Sequence, residues 1–406
     1  MSCDESLDRV AARLLELELE MVRLQEELVA RPAVSPASGG GGEQARVDFL
    51  RPMLEGWGLE VTEYRAPDPA APCGYRPSLV ARLAGQDRSR TLWVMTHLDV
   101  VPAGPRELWE TDPFKAMVKD GRIYGRGVED NQQELVASCF AARVMLELGL
   151  RPAFDVALML VADEEVGSKF GVDWLLANHE LCRADDLVVV PDAGNAEGTM
   201  LEVAEKSIAW VRFRVLGAQA HASMPSLGRN AHRAGAAIVL AVDRTLHERF
   251  TDTDPLYSPP ESTFEPTRKE ENVPNVNTIP GEDVFHFDCR VLPRYQLEDV
   301  LAVMKDTAER VAAGCGTTVE LTTSQWLQAP PPTSADAPVV RMLARAVREV
   351  LGREAAPAGI GGGTVASFFR RRGIPTVVWG RSTGSAHQPN EFCVIANMRE
   401  DALVYV

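Results

Sequence analysis

Apolar positions follow two rhythms along this chain. Residues 91–95, Thr-Leu-Trp-Val-Met, form an unbroken β-favouring run, the mark of a strand buried on both faces. Runs at 156–162 and 187–190 predict two more such strands, and weaker ones predict strands at 59–64 and 78–83. Apolar residues at helical spacing predict helices over 8–30, 43–56 and 132–148. Residues 32–42, with two prolines and four consecutive glycines, predict a loop. Buried strands alternating with helices predict an α/β fold whose strand C-termini line one crevice.

The rhythm changes near residue 209. An alternating strand at 210–216 leads into a helix at 230–250, then a polar, proline-rich stretch at 252–274. A strand at 284–292, a helix at 297–313 and a strand at 317–323 complete a β-α-β-α-β order, which fits a small α+β insertion. After Pro330-Pro331-Pro332 the α/β character returns, with a helix at 337–351, the turn Gly361-Gly362-Gly363-Thr364 and a strand at 376–379. The expected division is therefore 1–208, 209–325 and 326–406, with the outer pieces forming one domain. No internal repeat is visible.

Composition narrows the classes. The formal net charge of -16 over 406 residues argues against nucleic acid as a partner. No run is long enough to span a bilayer, and residues 1–28 lack the basic and apolar regions of a signal peptide. Seven cysteines without paired spacing fit a reducing cytoplasm better than a disulfide framework.

The chemistry collects where the buried strands end. His97 closes the 91–97 strand, and Asp99 lies on the same side, placed to accept its second ring N–H. Alone, the pair reads equally well as a packed core histidine. The 156–162 strand delivers Asp163-Glu164-Glu165, three acids costly to crowd without a cation. The 187–190 strand delivers Asp192. Asp130 precedes a helix and alone reads as an N-cap. His97, Asp130, Glu165, Asp192 and His387 together are two imidazoles and three carboxylates, donors that suit zinc, cobalt or manganese. If Asp130 bridges two ions, each takes one histidine and one further carboxylate, and Glu164 is left beside them to move a proton.

These motifs, His97-Leu98-Asp99, Gly125-Arg126-Gly127 with Asp130, Asp163-Glu164-Glu165-Val166-Gly167, Asp192 and Ser385-Ala386-His387, resemble those of the di-zinc aminoacylase, carboxypeptidase and dipeptidase family. That family includes succinyl-diaminopimelate desuccinylase and acetylornithine deacetylase, and the likeness runs from Phe49 to Glu391. It implies a three-layer αβα, zinc-exopeptidase-like catalytic domain with an inserted α+β, ferredoxin-like dimerisation domain. It also implies one metal on His97 and Asp192, another on Glu165 and His387, Asp130 as the bridge with a cis bond after it, Asp99 orienting His97, and Glu164 as general base. His221 matches the position that a partner subunit lends to the oxyanion, and Arg290 matches the substrate-carboxylate arginine. Asn277, Gly363 and Thr364 match substrate-contacting positions.

The implied activity is cleavage of a small N-acyl amino acid, desuccinylase-like or deacetylase-like first and a dipeptide second, by a cytoplasmic homodimer. A dipeptidase or carboxypeptidase, a silent metal-binding scaffold and a single-zinc hydrolase stay open. The chain departs from the family at Asn131-Gln132 and Val365-Ala366, positions expected near the substrate.

Overall fold

The computed structural model of the protein describes residues 3–406, so the first two residues of the stretch read above as lacking a signal peptide lie outside it. Strands β1 (Glu60–Pro67), β2 (Tyr75–Leu83), β3 (Asp87–His97), β4 (Phe154–Val161), β5 (Leu187–Val190), β6 (Met200–Glu205), β7 (Ala356–Ile360) and β8 (Thr376–Val378) form an eight-stranded sheet. Their order is β1-β2-β4-β3-β5-β8-β6-β7. β3 runs parallel to β4 and β5, with Val94 opposite Leu158 on one side and Val189 on the other.

Alternation of side chains explains why both faces are covered. Val94, Leu158 and Leu160 pack in one core with Leu14 and Leu17 of helix Cys3–Val29 and with Leu135 and Phe140 of helix Gln133–Glu147. Trp93, Met95, Ala157 and Met159 point the other way, into a core with Val172, Leu175 and Phe369. Burying each large apolar side chain is worth roughly 1.5–3 kcal/mol, so two such layers fix the register of the central strands. The result is the three-layer αβα arrangement of zinc exopeptidases. Since β3, β4 and β5 are parallel, His97, the 163–165 acids and Asp192 leave the sheet at one edge.

The chain separates into two compact units. One runs to Val203 and resumes over Thr333–Pro357 and Thr364–Val406, while the other comprises Ala204–Pro332 and Ala358–Gly363. The second has a four-stranded sheet ordered Thr263–Lys269, Glu282–Val291, Ser207–Leu216, Thr318–Leu327, and a core shared with helices Ala231–Arg249 and Leu297–Gly314. Thr263–Lys269 lies inside the stretch expected to be irregular. As an edge strand it buries only Phe264 and carries Pro266 at a break in register, so it has no apolar alternation to read. With it the order becomes β-α-β-β-α-β, that of a ferredoxin-like fold. The short sheet of Met117–Lys119, Arg122–Tyr124 and Phe392–Val394, and the final helix Ile395–Tyr405, were also unread. No helix among the described residues is long and apolar enough to cross a membrane.

Candidate metal centre

At the edge where β3, β4 and β5 end, two overlapping triads of donors converge. His97, Asp130 and Asp192 form one, and Asp130, Glu165 and His387 the other, with donor atoms in each within 4.8 Å of one another. His97 Nε2 lies 2.9 Å from Asp130 Oδ1 and 3.4 Å from Asp192 Oδ1. His387 Nε2 lies 3.0 Å from Asp130 Oδ2 and 3.0 Å from Glu165 Oε2. Asp130 thus offers one oxygen to each imidazole. The Asp130-Asn131 peptide is cis.

Electrostatics favours cations here. Burial opposes charge on His97, yet Asp130, Asp192 and Asp99 outweigh it and raise its pKa well above the ordinary value. His387 is raised to about 10 by Asp130 and Glu165. Burial raises Glu164 well above the usual carboxylate range, and Asp192, Glu165 and Asp99 add to that, with His97 opposing. Each imidazole Nε2 faces two carboxylate oxygens but can carry only one proton. Glu165 Oε1 is buried without a hydrogen-bond partner. These are the marks of a site built for divalent ions, with donors that suit zinc, cobalt or manganese.

Glu164 sits in a single turn, Glu164–Val166, that follows Asp163 in the left-handed conformation at φ 66°. No described residue hydrogen-bonds its carboxylate. Asp163 points away from the donors and pairs with Arg76 at 2.8 Å, deep in the protein. Asp99 differs from expectation. His97 Nδ1 meets the Asp99 main-chain oxygen at 3.0 Å, while the nearer carboxylate oxygen is 3.6 Å away. That carboxylate is already taken, because the Glu164 and Glu165 amides donate to it at 3.0 and 3.1 Å.

Asn131 and Gln132, expected near the substrate, are buried beside the donors. The Asn131 carboxamide accepts from the His97 amide at 3.2 Å and donates to the Pro191 carbonyl and, at 3.3 Å, to Asp192 Oδ1. It ties the ends of β3 and β5 together. Val365 and Ala366, expected near the substrate, lie in the core with Phe369.

The remaining candidates, Thr364 apart, belong to the second unit. His221 is exposed on the two-residue strand Ala220–His221, paired with Thr278–Ile279, and its Nδ1 lies 2.7 Å from Ser223 Oγ. The exposed Asn277 accepts the Ala222 amide on its carbonyl at 2.8 Å. Arg290 does not present a free fork: Nε and Nη2 grip Asp288 at 2.6 and 3.1 Å, and Nη1 donates to the Gly361 carbonyl at 2.9 Å. A Cβ at Gly363 would stand 3.1 Å from Leu327, so that turn passes close to the strand. Thr364 Oγ1 accepts from the Ala366 amide at 3.3 Å.

Two acids that the sequence reading passed over hold the loops. Glu391 is fully buried, and the amides of Gly127, Glu129 and Asp130 donate to it at 2.9, 2.9 and 3.0 Å. Glu129 in turn accepts from Thr383 and Ser385. Their one sequence signal was proximity to Asp130 and His387.

The model of peptidase family M20/M25/M40 matches residues 93–406. The chain is 36% identical to an uncharacterized metallohydrolase of Methanococcus maripaludis over 95% of its own length and 98% of that protein's. It is 29% identical to a succinyl-diaminopimelate desuccinylase of Rhodospirillum centenum over 95% of both chains. A tripeptidase from Staphylococcus aureus shares the fold, with a TM-score of 0.74 and 21% identity over 96% of this chain and 97% of that one.

Proposed function

The chain belongs to peptidase family M20/M25/M40, a family of metal-dependent hydrolases, and from that premise we propose that it cleaves the amide bond of a small N-acyl amino acid. The observation that carries the reading is the pair of triads sharing Asp130, with Glu164 beside them and its carboxylate without a hydrogen-bond partner among the described residues. Two divalent ions, zinc by donor type with cobalt and manganese as alternatives, would be held by His97, Asp130 and Asp192 and by Asp130, Glu165 and His387. Bound there, they would polarise the scissile carbonyl and acidify a water.

The protein's own groups do the rest. Glu164 takes a proton from the attacking water on a carboxylate oxygen and delivers it to the departing amine nitrogen. Asp99, gripping the amides of Glu164 and Glu165, fixes that carboxylate relative to His97. His221, lent across a homodimer, would donate to the developing oxyanion. Arg290 would meet the substrate carboxylate, exchanging its Asp288 contact for it. Asn277, Gly363 and Thr364 would line the substrate's path.

A succinyl or acetyl group is the first choice of acyl group, supported by the motif likeness and by the name of the Rhodospirillum centenum relative. A panel of N-succinyl amino acids, N-acetyl amino acids and dipeptides, tested with metal-loaded protein, decides it. Turnover of the first two classes is expected. Preference for dipeptides would move the assignment to a dipeptidase, and two bound metals with no turnover of any class would leave a scaffold. Glu164→Ala is expected to keep both metals and lose about 10²- to 10⁴-fold in kcat. Unchanged turnover would remove Glu164 as the base.

A further inference from the structure

Asp130 and His387 sit on separate loops, not on strands, yet His387 Nε2 must stay within 3.0 Å of Asp130 Oδ2. The strands flanking these loops, Arg122–Tyr124 and Phe392–Val394, pair, and the Gly125 amide donates to the Glu391 carbonyl at 3.1 Å, but that pairing stops short of Asp130 and His387. Instead, each loop carries a buried glutamate that reaches into the other. Glu129, immediately before Asp130, takes the Thr383 amide and hydroxyl, the latter at 2.6 Å, and the Ser385 amide and hydroxyl at 2.7 and 2.6 Å. Glu391, four residues after His387, takes the amides of Gly127, Glu129 and Asp130, and also Arg126 Nη1 at 2.7 Å.

We propose that Glu129 and Glu391 form a reciprocal clasp that sets the spacing between Asp130 and His387, and hence the affinity of the Asp130, Glu165 and His387 triad for its ion. The inference rests on the two-metal reading above. Each carboxylate has four donors and no competing role, and a carboxylate is acceptor-only, so neither can be replaced by an amide without setting a donor against donors. The backbone between the anchors is under constraint. His387 has φ 62° and Asn390 φ 60°, a left-handed conformation that non-glycine residues keep only when their surroundings enforce it. The Ser385 and Glu391 anchors bracket both positions. The other triad owes less to the clasp, because His97 and Asp192 follow parallel strands bonded into the sheet.

Glu129 and Glu391 are positioning residues, and the readout is the split between two metal affinities. Calorimetric titration of the apo protein with zinc is expected to give two sites for the native chain. In Glu129→Gln the second site should weaken by about 10- to 100-fold, the usual cost of losing an outer hydrogen-bonding partner of a ligand. The first should hold within about threefold, a range set by the general scatter of such measurements. Ser385→Ala, which removes one hydroxyl donor and keeps its amide, gives a folded variant should Glu129→Gln fail to fold. It should shift the same site in the same direction by a smaller factor. Two unchanged sites in either folded variant, or both sites weakening in step with the melting temperature, would overturn the clasp. A native protein that binds no second ion would instead bring down the two-metal reading itself.

Discussion

The two triads share a residue and little else. His97 is completely buried at the end of a central parallel strand, and Asp192 lies two residues beyond another. His387 sits in a loop with 54% of its side chain exposed, and Asp130 in a kinked turn ahead of a helix. One triad is positioned by the sheet and takes its rigidity from apolar packing on both faces. The other has one ligand, Glu165, in the turn after β4, and takes Asp130 and His387 from loops whose rigidity comes from buried carboxylates gripping main-chain amides. Equivalent chemistry is therefore held by unlike physics, and perturbations should separate the two.

The largest effect is expected at the frame of strand ends that both triads use, since the turn after β4 delivers Glu165 to the His387 triad. Arg76 on β2 is buried between Glu43 and Asp163 and pins the turn that carries Glu164 and Glu165. Arg76→Ala leaves three buried carboxylates, Glu43, Asp68 and Asp163, without their cation, which costs about 3–5 kcal/mol. Urea unfolding would read this as a fall in midpoint at constant slope. A change under about 1 kcal/mol, the level of an exposed pair, would show that water reaches the cluster and that the strand-end frame is less sealed than its burial implies.

A chelator should discriminate next. Loops open locally at lower free energy than central strands, so dialysis of the metal-loaded protein against dilute chelator is expected to remove the ion of the His387 triad first. Metal analysis along the time course should pass through a one-equivalent plateau. Loss of both ions together would dissolve the contrast. Asn131→Ala should do the reverse of Glu129→Gln. It removes the carboxamide that joins the His97 amide to Pro191 and Asp192, so the sheet-held site should weaken by about 10-fold. An effect confined to the His387 side would mean the carboxamide serves Asp130 instead.

The same contrast governs what could be read in advance. The β3, β4 and β5 runs announce themselves by continuous apolar character, and a histidine or acid directly after such a run is placed by the strand. An α/β fold and the common edge followed from that, while the three layers were implied by the family resemblance. Loop-borne features carry no period. Asp130 resembled a helix cap, and nothing in the spacing of Glu129 or Glu391 reveals that their acceptors meet main-chain amides. Spacing puts Asp99 beside His97 but does not show that its carbonyl lies nearer to the ring than its carboxylate, which also accepts two amides. The likeness gives Arg290 a substrate carboxylate, and it does not show that Asp288, two positions away on the same side of the strand, already holds the fork. Thr263–Lys269 escaped because an exposed edge has no apolar face.

The smallest effect tests the strain argument most directly. Asn390 holds φ 60° and uses its side chain to accept the Glu110 amide at 2.8 Å and to donate to the Leu108 carbonyl at 3.3 Å. Asn390→Gly would relieve the left-handed cost, about 0.5–1 kcal/mol. It would also forfeit hydrogen bonds worth about 0.5–1.5 kcal/mol each, at the lower end for an exposed site. These terms nearly cancel, so the unfolding midpoint should barely move. The clasp predicts the same for zinc: with Ser385 and Glu391 still anchored on either side, the affinity of the His387 triad should stay within about threefold of native. A tenfold loss at that site with unchanged stability would instead assign the positioning of His387 to the Asn390 side chain and its contacts at 108–110, not to the two glutamates.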